Sequence, residues 1–171
     1  QSTNKLLQSV PGCDGIKTGF IRAAGFCITA SAKRDDIRLI AVVMGDTKHG
    51  RFERAEEVLE ACFKQVQRVN PVVTGAAIGK PIPIIRGMAP TVPIVAVNSL
   101  QAVVKKEDVP KLQLQVTAPQ TLEAPVLAGT TVGKVQLVLG DKIYGESPLV
   151  TLNAVERKGF WRRVGEGIGI L

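Results

Sequence analysis

The chain has 171 residues, enough for one large or two small domains, and a net charge of +7 from 22 Lys and Arg against 15 Asp and Glu. No run of Lys and Arg is interleaved with aromatic residues, so a nucleic-acid partner has no support, and an anionic surface such as a membrane suits the excess charge better. Hydrophobic residues reach 45% while aromatics are only 4%, so the cores must be built from Val, Ile, Leu and Ala, and no apolar run attains the ~18 residues of a spanning helix.

In chain order, residues 11–19 are rich in Gly and turn formers. Phe26-Cys27-Ile28-Thr29-Ala30-Ser31-Ala32 then reads as a strand, closed by the polar turn Lys33-Arg34-Asp35-Asp36. Arg38-Leu39-Ile40-Ala41-Val42-Val43-Met44-Gly45 follows as a second strand, which makes a hairpin. Its continuous apolarity predicts a sheet covered on both faces in the complete domain. A helix is predicted over 51–68. Ala55, Val58, Leu59, Cys62, Phe63 and Val66 recur on one face, acidic residues fill its first half, and Lys64 and Arg68 stand at its end. Asn70-Pro71 stops it. A β-β-α segment of this kind cannot bury both faces of its sheet alone.

Past Val72 the pattern changes to short Val/Ile runs between Pro and Gly, with candidate strands at 82–86, 92–97, 100–105, 111–117, 131–139 and 148–153. Gly140-Asp141-Lys142 turns the last but one into its successor. Residues 71–155 thus form an all-β module, expected to be a small sandwich. In the tail, 156–171, the residues Phe160, Trp161, Val164, Ile168 and Leu171 form one helical stripe flanked by Arg157, Lys158, Arg162 and Arg163. Basic residues beside an aromatic-led stripe suit an interfacial membrane helix, against which stand Gly165, Gly167 and Gly169. The three cysteines, Cys13, Cys27 and Cys62, have no metal-type spacing with the single His49, and free buried thiols are expected. No metal or cofactor is implied.

The chemistry concentrates in Asp14-Gly15-Ile16-Lys17-Thr18-Gly19-Phe20. A Lys-Thr-Gly strand belongs to serine acyl-transfer sites. Its edge pairs with an extended substrate peptide, Lys17 supplies positive charge, Thr18 offers a hydroxyl to a carboxylate, and Gly19 admits substrate close to the backbone. The Phe20 N–H then meets the developing oxyanion. Ser2-Thr3-Asn4-Lys5 spells the S-x-x-K and S-x-N of such sites. It lies too close to the strand in sequence to build the separate nucleophile helix, so Ser2 is rejected as nucleophile. His49, alone in a polar turn, is a poor base.

Around this strand, Asn4-Lys5-Leu6-Leu7, Pro11 to Phe20, Ala24-Gly25-Phe26 and Arg38 to Gly45 closely resemble the low-molecular-mass penicillin-binding proteins, and within them the serine-type D-alanyl-D-alanine carboxypeptidases. The likeness continues loosely through Ala124-Pro125-Val126 and Gly129 to Gly133. The resemblance implies an α+β fold. Residues 1–70 would be the C-terminal part of a transpeptidase/β-lactamase-like domain, 71–155 an all-β domain, and 156–171 a short amphipathic membrane helix that uses Phe160, Trp161, Arg162 and Arg163. It further implies that Lys17, Thr18, Gly19 and Phe20 serve the active site, that Arg51 assists the substrate's terminal carboxylate, and that the nucleophilic Ser and base Lys lie upstream. The substrate would be a peptidoglycan stem peptide ending in D-Ala-D-Ala, β-lactams would be its mimics, and the location extracytoplasmic at the membrane. Ile21 departs from the Thr common after this strand. A β-lactamase-like hydrolase and a non-catalytic anchoring module built from 71–171 remain the alternatives.

Overall fold

The computed structural model describes residues 2–159 and is mostly β-sheet with few helices. It divides into two compact units, Gln1–Val69 with Val103–Val109, and Asn70–Ala102 with Pro110–Leu171. The expectations for residues 160–171, including Phe160, Trp161, Arg162 and Arg163, lie outside the described residues.

In the first unit a four-residue helix, α1 (Leu6–Ser9), leads into β1 (Cys13–Ile21). Strands β2 (Gly25–Arg34) and β3 (Ile37–Asp46) follow, and α2 (Gly50–Gln65) closes the layer. The sheet is antiparallel in the order β1-β2-β3, so among the described residues β1 has one edge without a strand partner. The hairpin β2–β3 turns on two residues rather than four. Asp35 and Asp36 have φ of 46° and 60°, the left-handed pair that a primed turn requires and that Asp tolerates.

Cross-strand partners share a face, and the register divides the residues cleanly. Ile28 pairs Val43, Ala30 pairs Ala41 and Ala32 pairs Leu39, all on the face that α1 and α2 cover. Thr29, Val42, Ser31 and Ile40 fall on the opposite face, where Ile40 and Val42 are 59% exposed. The β-β-α segment therefore buries one face only.

The helix differs from its prediction at both ends. It begins at Gly50, whose N–H bonds Thr47 Oγ1 at 3.0 Å, and it stops at Gln65. Val66–Val72 is a strand, β4, where the β-branched Val66, Val69 and Val72 outweigh the helical period they prolong. Its partner is β8 (Leu100–Lys105), in a two-stranded sheet that tolerates Pro71. Arg68 consequently belongs to β4 and pairs with Asp36 at 3.0 Å. The core-facing stripe of α2 is Phe52, Ala55 and Leu59, with Phe63 half-buried. Cys62 lies off that stripe and is exposed, and Cys13 and Cys27 are only half-buried, so the expected buried thiols are corrected.

The second unit contains two further sheets. One is β10-β5-β6, from β5 (Ile82–Ile85), β6 (Thr91–Val92) and β10 (Leu122–Glu123). The other is β7-β12-β11-β9, from β7 (Ile94–Ala96), β9 (Gln113–Thr117), β11 (Thr131–Leu139) and β12 (Lys142–Thr151). A 3₁₀ helix, Lys106–Lys111, begins in the first unit and ends in the second. The last hairpin turns at Gly140-Asp141 as expected, but its second strand, β12, is longer than the candidate 148–153 and already starts at Lys142. Gly145 sits at the register shift between Leu137 and Val138, so it marks a bulge and not a strand end. Val92, Val135, Leu137 and Leu149 are at most 1% exposed and anchor the core. The tail helix predicted from residue 156 does not begin there: the Glu156 carbonyl accepts from Met88, and the Lys158 N–H donates to Arg86, in an extended bridge.

Candidate functional site

The Lys17-Thr18-Gly19 segment lies in the middle of β1, on the sheet edge. Its position is set from its start and from beside it. At the start, Gly12 has φ of 76°, accepts from the Lys33 N–H at 2.9 Å, and leaves no room for a Cβ against the Lys33 carbonyl oxygen. Asn4, buried, then holds the segment from beside it. Its Nδ2 donates to Gly15 O at 3.3 Å, and its Oδ1 receives the Leu6 N–H at 3.1 Å. Thr3 and Thr18 share a hydroxyl hydrogen bond of 2.7 Å. The residues before the strand thus brace it, which gives Ser2-Thr3-Asn4 a structural task. The Ser2 hydroxyl accepts the Asn4 N–H at 3.2 Å.

Lys17 and Gly19 project to the open face and Thr18 and Phe20 to the helix-covered one, by the alternation of an antiparallel ladder in which Lys17 pairs Thr29 and Thr18 pairs Ile28. Lys17 is exposed, and its Nζ donates to the Thr18 carbonyl at 2.7 Å. Around it lies an open depression of about 260 Å³ lined by Lys17, Gly19, Cys27, Thr29, Val42 and Met44, among others. Met44 is 78% exposed. The Phe20 ring stacks on Phe26, its cross-strand partner, with centroids 4.2 Å apart.

Arg51 is no solvated first-turn residue. It is 7% exposed and lies under the sheet, with Nη1 donating to Gly19 O at 3.2 Å and to Cys27 O at 3.3 Å. Its guanidinium carbon is 5.0 Å from the Phe26 ring centroid and 4.6 Å from that of Phe52. Its Nε is buried with no partner among the described residues. The structure thus places Arg51 beneath the KTG strand, bonded to the carbonyl of Gly19. Sequence reading missed Phe26 and Phe52 here, because an aromatic beside an apolar run carries no signal of what it stacks on.

A second polar cluster stands at the start of β1. Asp14 accepts from the buried Ser31 hydroxyl and from Arg38, at 2.7 Å to its second oxygen. The Ser31 hydroxyl and then the Arg38 guanidinium hold the Asp14 carboxyl below the usual carboxylate range. His49, at the mouth of α2, makes no side-chain cap. Among the described residues no cluster of His, Cys, Asp or Glu could hold a metal ion, and no helix is long and apolar enough to cross a membrane.

The class defined by the described residues is structural: a Lys-Thr-Gly edge strand in an antiparallel sheet backed by α1 and α2, followed by a β-rich unit. Comparison with known proteins agrees. Residues 67–157 match the family model described as penicillin-binding protein 5, C-terminal domain, and residues 1–48 match that of the D-alanyl-D-alanine carboxypeptidases. The carboxypeptidase DacF of Bacillus subtilis is 27% identical over 93% of the chain, and DacD of Salmonella typhimurium is 32% identical over 90%. The chain spans 41% and 40% of the lengths of these relatives. Among solved structures, DacD of Francisella tularensis superposes with a TM-score of 0.62 at 30% identity, covering 91% of this chain and 39% of that one. Penicillin-binding protein 5 of Haemophilus influenzae gives the same TM-score at 27% identity, covering 91% and 46%. The chain belongs to the penicillin-binding protein 5 family, as a C-terminal portion of a low-molecular-mass penicillin-binding protein.

Proposed function

We propose that the protein is a serine-type D-alanyl-D-alanine carboxypeptidase that trims the terminal D-Ala from peptidoglycan stem peptides through an acyl-enzyme, and that residues 1–69 supply its substrate-aligning strand. The observation that carries this reading is the placement of Lys17-Thr18-Gly19 on a sheet edge that has no strand partner among the described residues. Such an edge offers main-chain groups to an extended peptide.

In this reading the stem peptide adds as a strand along β1. Lys17 places a cation on the open face, and the Thr18 hydroxyl, now shared with Thr3, is within the strand that meets the terminal carboxylate. Gly19 keeps the approach clear, since a Cβ there would meet nothing yet would stand between substrate and backbone. The Phe20 N–H stabilises the oxyanion. Arg51 supplies a second positive charge from its buried place beneath Gly19 and steers the carboxylate. The serine nucleophile and lysine base come from residues outside 1–171. The apolar open face, with Ile40, Val42 and Met44, suits packing against the part that carries them. β-Lactams acylate the same serine as mimics of D-Ala-D-Ala.

The β-rich residues 71–155 and the basic tail, with Phe160, Trp161, Arg162 and Arg163, hold the enzyme at the outer face of the bacterial inner membrane. A β-lactamase-like hydrolase accounts for the strand and not for the β-rich unit.

The test is covalent labelling of the full-length protein by a fluorescent penicillin. An adduct that survives denaturation is expected, and Lys17→Ala should slow its formation by about 100-fold or more, the scale of one lost electrostatic group. A full-length protein that forms no adduct overturns the reading.

A further inference from the structure

We propose that Phe26 and Phe52 are positioning residues for this reaction, two rings that grip the Arg51 guanidinium beneath Gly19 and thereby set how strongly the site discriminates for a carboxylate. The proposal rests on the carboxypeptidase reading above and adds to it two side chains that touch no substrate.

The argument begins with what Arg51 lacks. A guanidinium buried to 7% exposure ordinarily sits against a carboxylate, since an uncompensated buried charge is costly. Among the described residues Arg51 makes no ion pair. Its hydrogen bonds go to two backbone carbonyls through one nitrogen, and Nε has none. The guanidinium carbon instead lies over two aromatic rings, that of Phe52 at 4.6 Å and that of Phe26 at 5.0 Å. An aromatic face carries negative quadrupole charge and attracts a cation most when water is excluded. Rings stabilise the cation without neutralising it, as a carboxylate would. The full positive charge therefore remains beneath the strand, in a low-dielectric setting where its field reaches further than in water.

The grip also fixes position. Phe26 is held in turn by Phe20 at 4.2 Å, so Phe20, Phe26, the guanidinium and Phe52 form one column from the exposed end of β1 to the buried first turn of α2. Phe52 is a core residue at 7% exposure, anchored with Ala55 and Leu59. Withdrawing either ring leaves the guanidinium free to swing away from the Gly19 carbonyl.

The experiment measures acylation of the full-length enzyme by a β-lactam with a free carboxylate and by its methyl ester, and takes the ratio of the two rates. In Phe26→Leu and Phe52→Leu the ratio should fall about 30-fold, the scale of one desolvated cation–ring contact. Phe26→Tyr, which keeps the ring face at a half-buried strand position, should retain the wild-type ratio. Equal slowing of both probes, with an unchanged ratio in the Leu variants, overturns the proposal, because that is the signature of lost packing alone. If Phe52→Leu does not fold, Phe26→Leu and Phe26→Tyr decide the question by themselves. A wild-type enzyme acylated by neither probe refutes the carboxypeptidase reading itself. An unchanged ratio in an enzyme that is acylated refutes only the role of the rings.

Discussion

Leu59→Ala gives the sharpest test of how the site strand is supported. Leu59 is 1% exposed and points from the middle of α2 into a cluster of Leu6, Val10, Ile28, Ala30, Ala32, Ala41, Phe52 and Ala55. Four of those neighbours are alanines. An alanine has no side-chain rotamer with which to fill a void, and three of the four sit on strands whose spacing the ladder fixes. The cavity should therefore persist, which places the cost in the upper part of the Leu-to-Ala range, about 3–5 kcal/mol. That is a large share of the roughly 5–15 kcal/mol that holds a domain folded. Because the chain has two units, a single denaturation curve would mix their transitions, and native-state hydrogen exchange resolves them. The slowest α2 amides should exchange about two to three orders of magnitude faster in Leu59→Ala, at about 1.4 kcal/mol per tenfold. Amides of β11 and β12 should be unchanged. Val58→Ala is the control, since Val58 is on the same helix but 42% exposed and should cost under about 1 kcal/mol. Exchange in α2 within threefold of wild type would refute the reasoning, because it would mean that the alanine-walled core collapses onto the gap.

Acid should weaken the fold in a defined direction. Arg34 holds the Glu60 carboxyl below its ordinary range, Lys33 does so for Asp36, and Lys134 for Glu146. A carboxylate whose folded pKa is depressed contributes stability that is present above its unfolded value and lost as pH falls through the folded one. Stability should thus be level from pH 8 to about 5 and decline below about pH 4, with the decline flattened in ~1 M salt because all these groups face water. Melting temperatures across pH check this, and a decline unaffected by salt would sink it. The membrane proposal is checked by co-sedimentation with anionic lipid vesicles. The chain should pellet with them, and a chain truncated after Gly159 should stay in the supernatant. Equal pelleting of both would remove the anchor.

The sequence alone carried the local chemistry. Lys17-Thr18-Gly19 with its flanks, the hairpin of two apolar runs, the periodic helix and the change of texture after Val72 are all encoded in neighbours, because turns, alternation and the 3.6-residue period act within a few residues. What lay beyond it were the contacts made across the fold. The Val66–Val72 stretch continued the helical period, yet it became a strand because β8 was there to pair with it. The sequence alone predicts that the last strand starts at Pro148, yet Pro148 sits inside a longer ladder opposite Lys134. Arg51 could be matched to a carboxylate-binding role by resemblance. That it lies buried, ring-clamped and bonded to the Gly19 carbonyl was decided only by the approach of β2 and α2, which stand apart in sequence and meet through the sheet. Burial and stacking depend on which distant surfaces close over a side chain, and those surfaces exist only once the chain has folded.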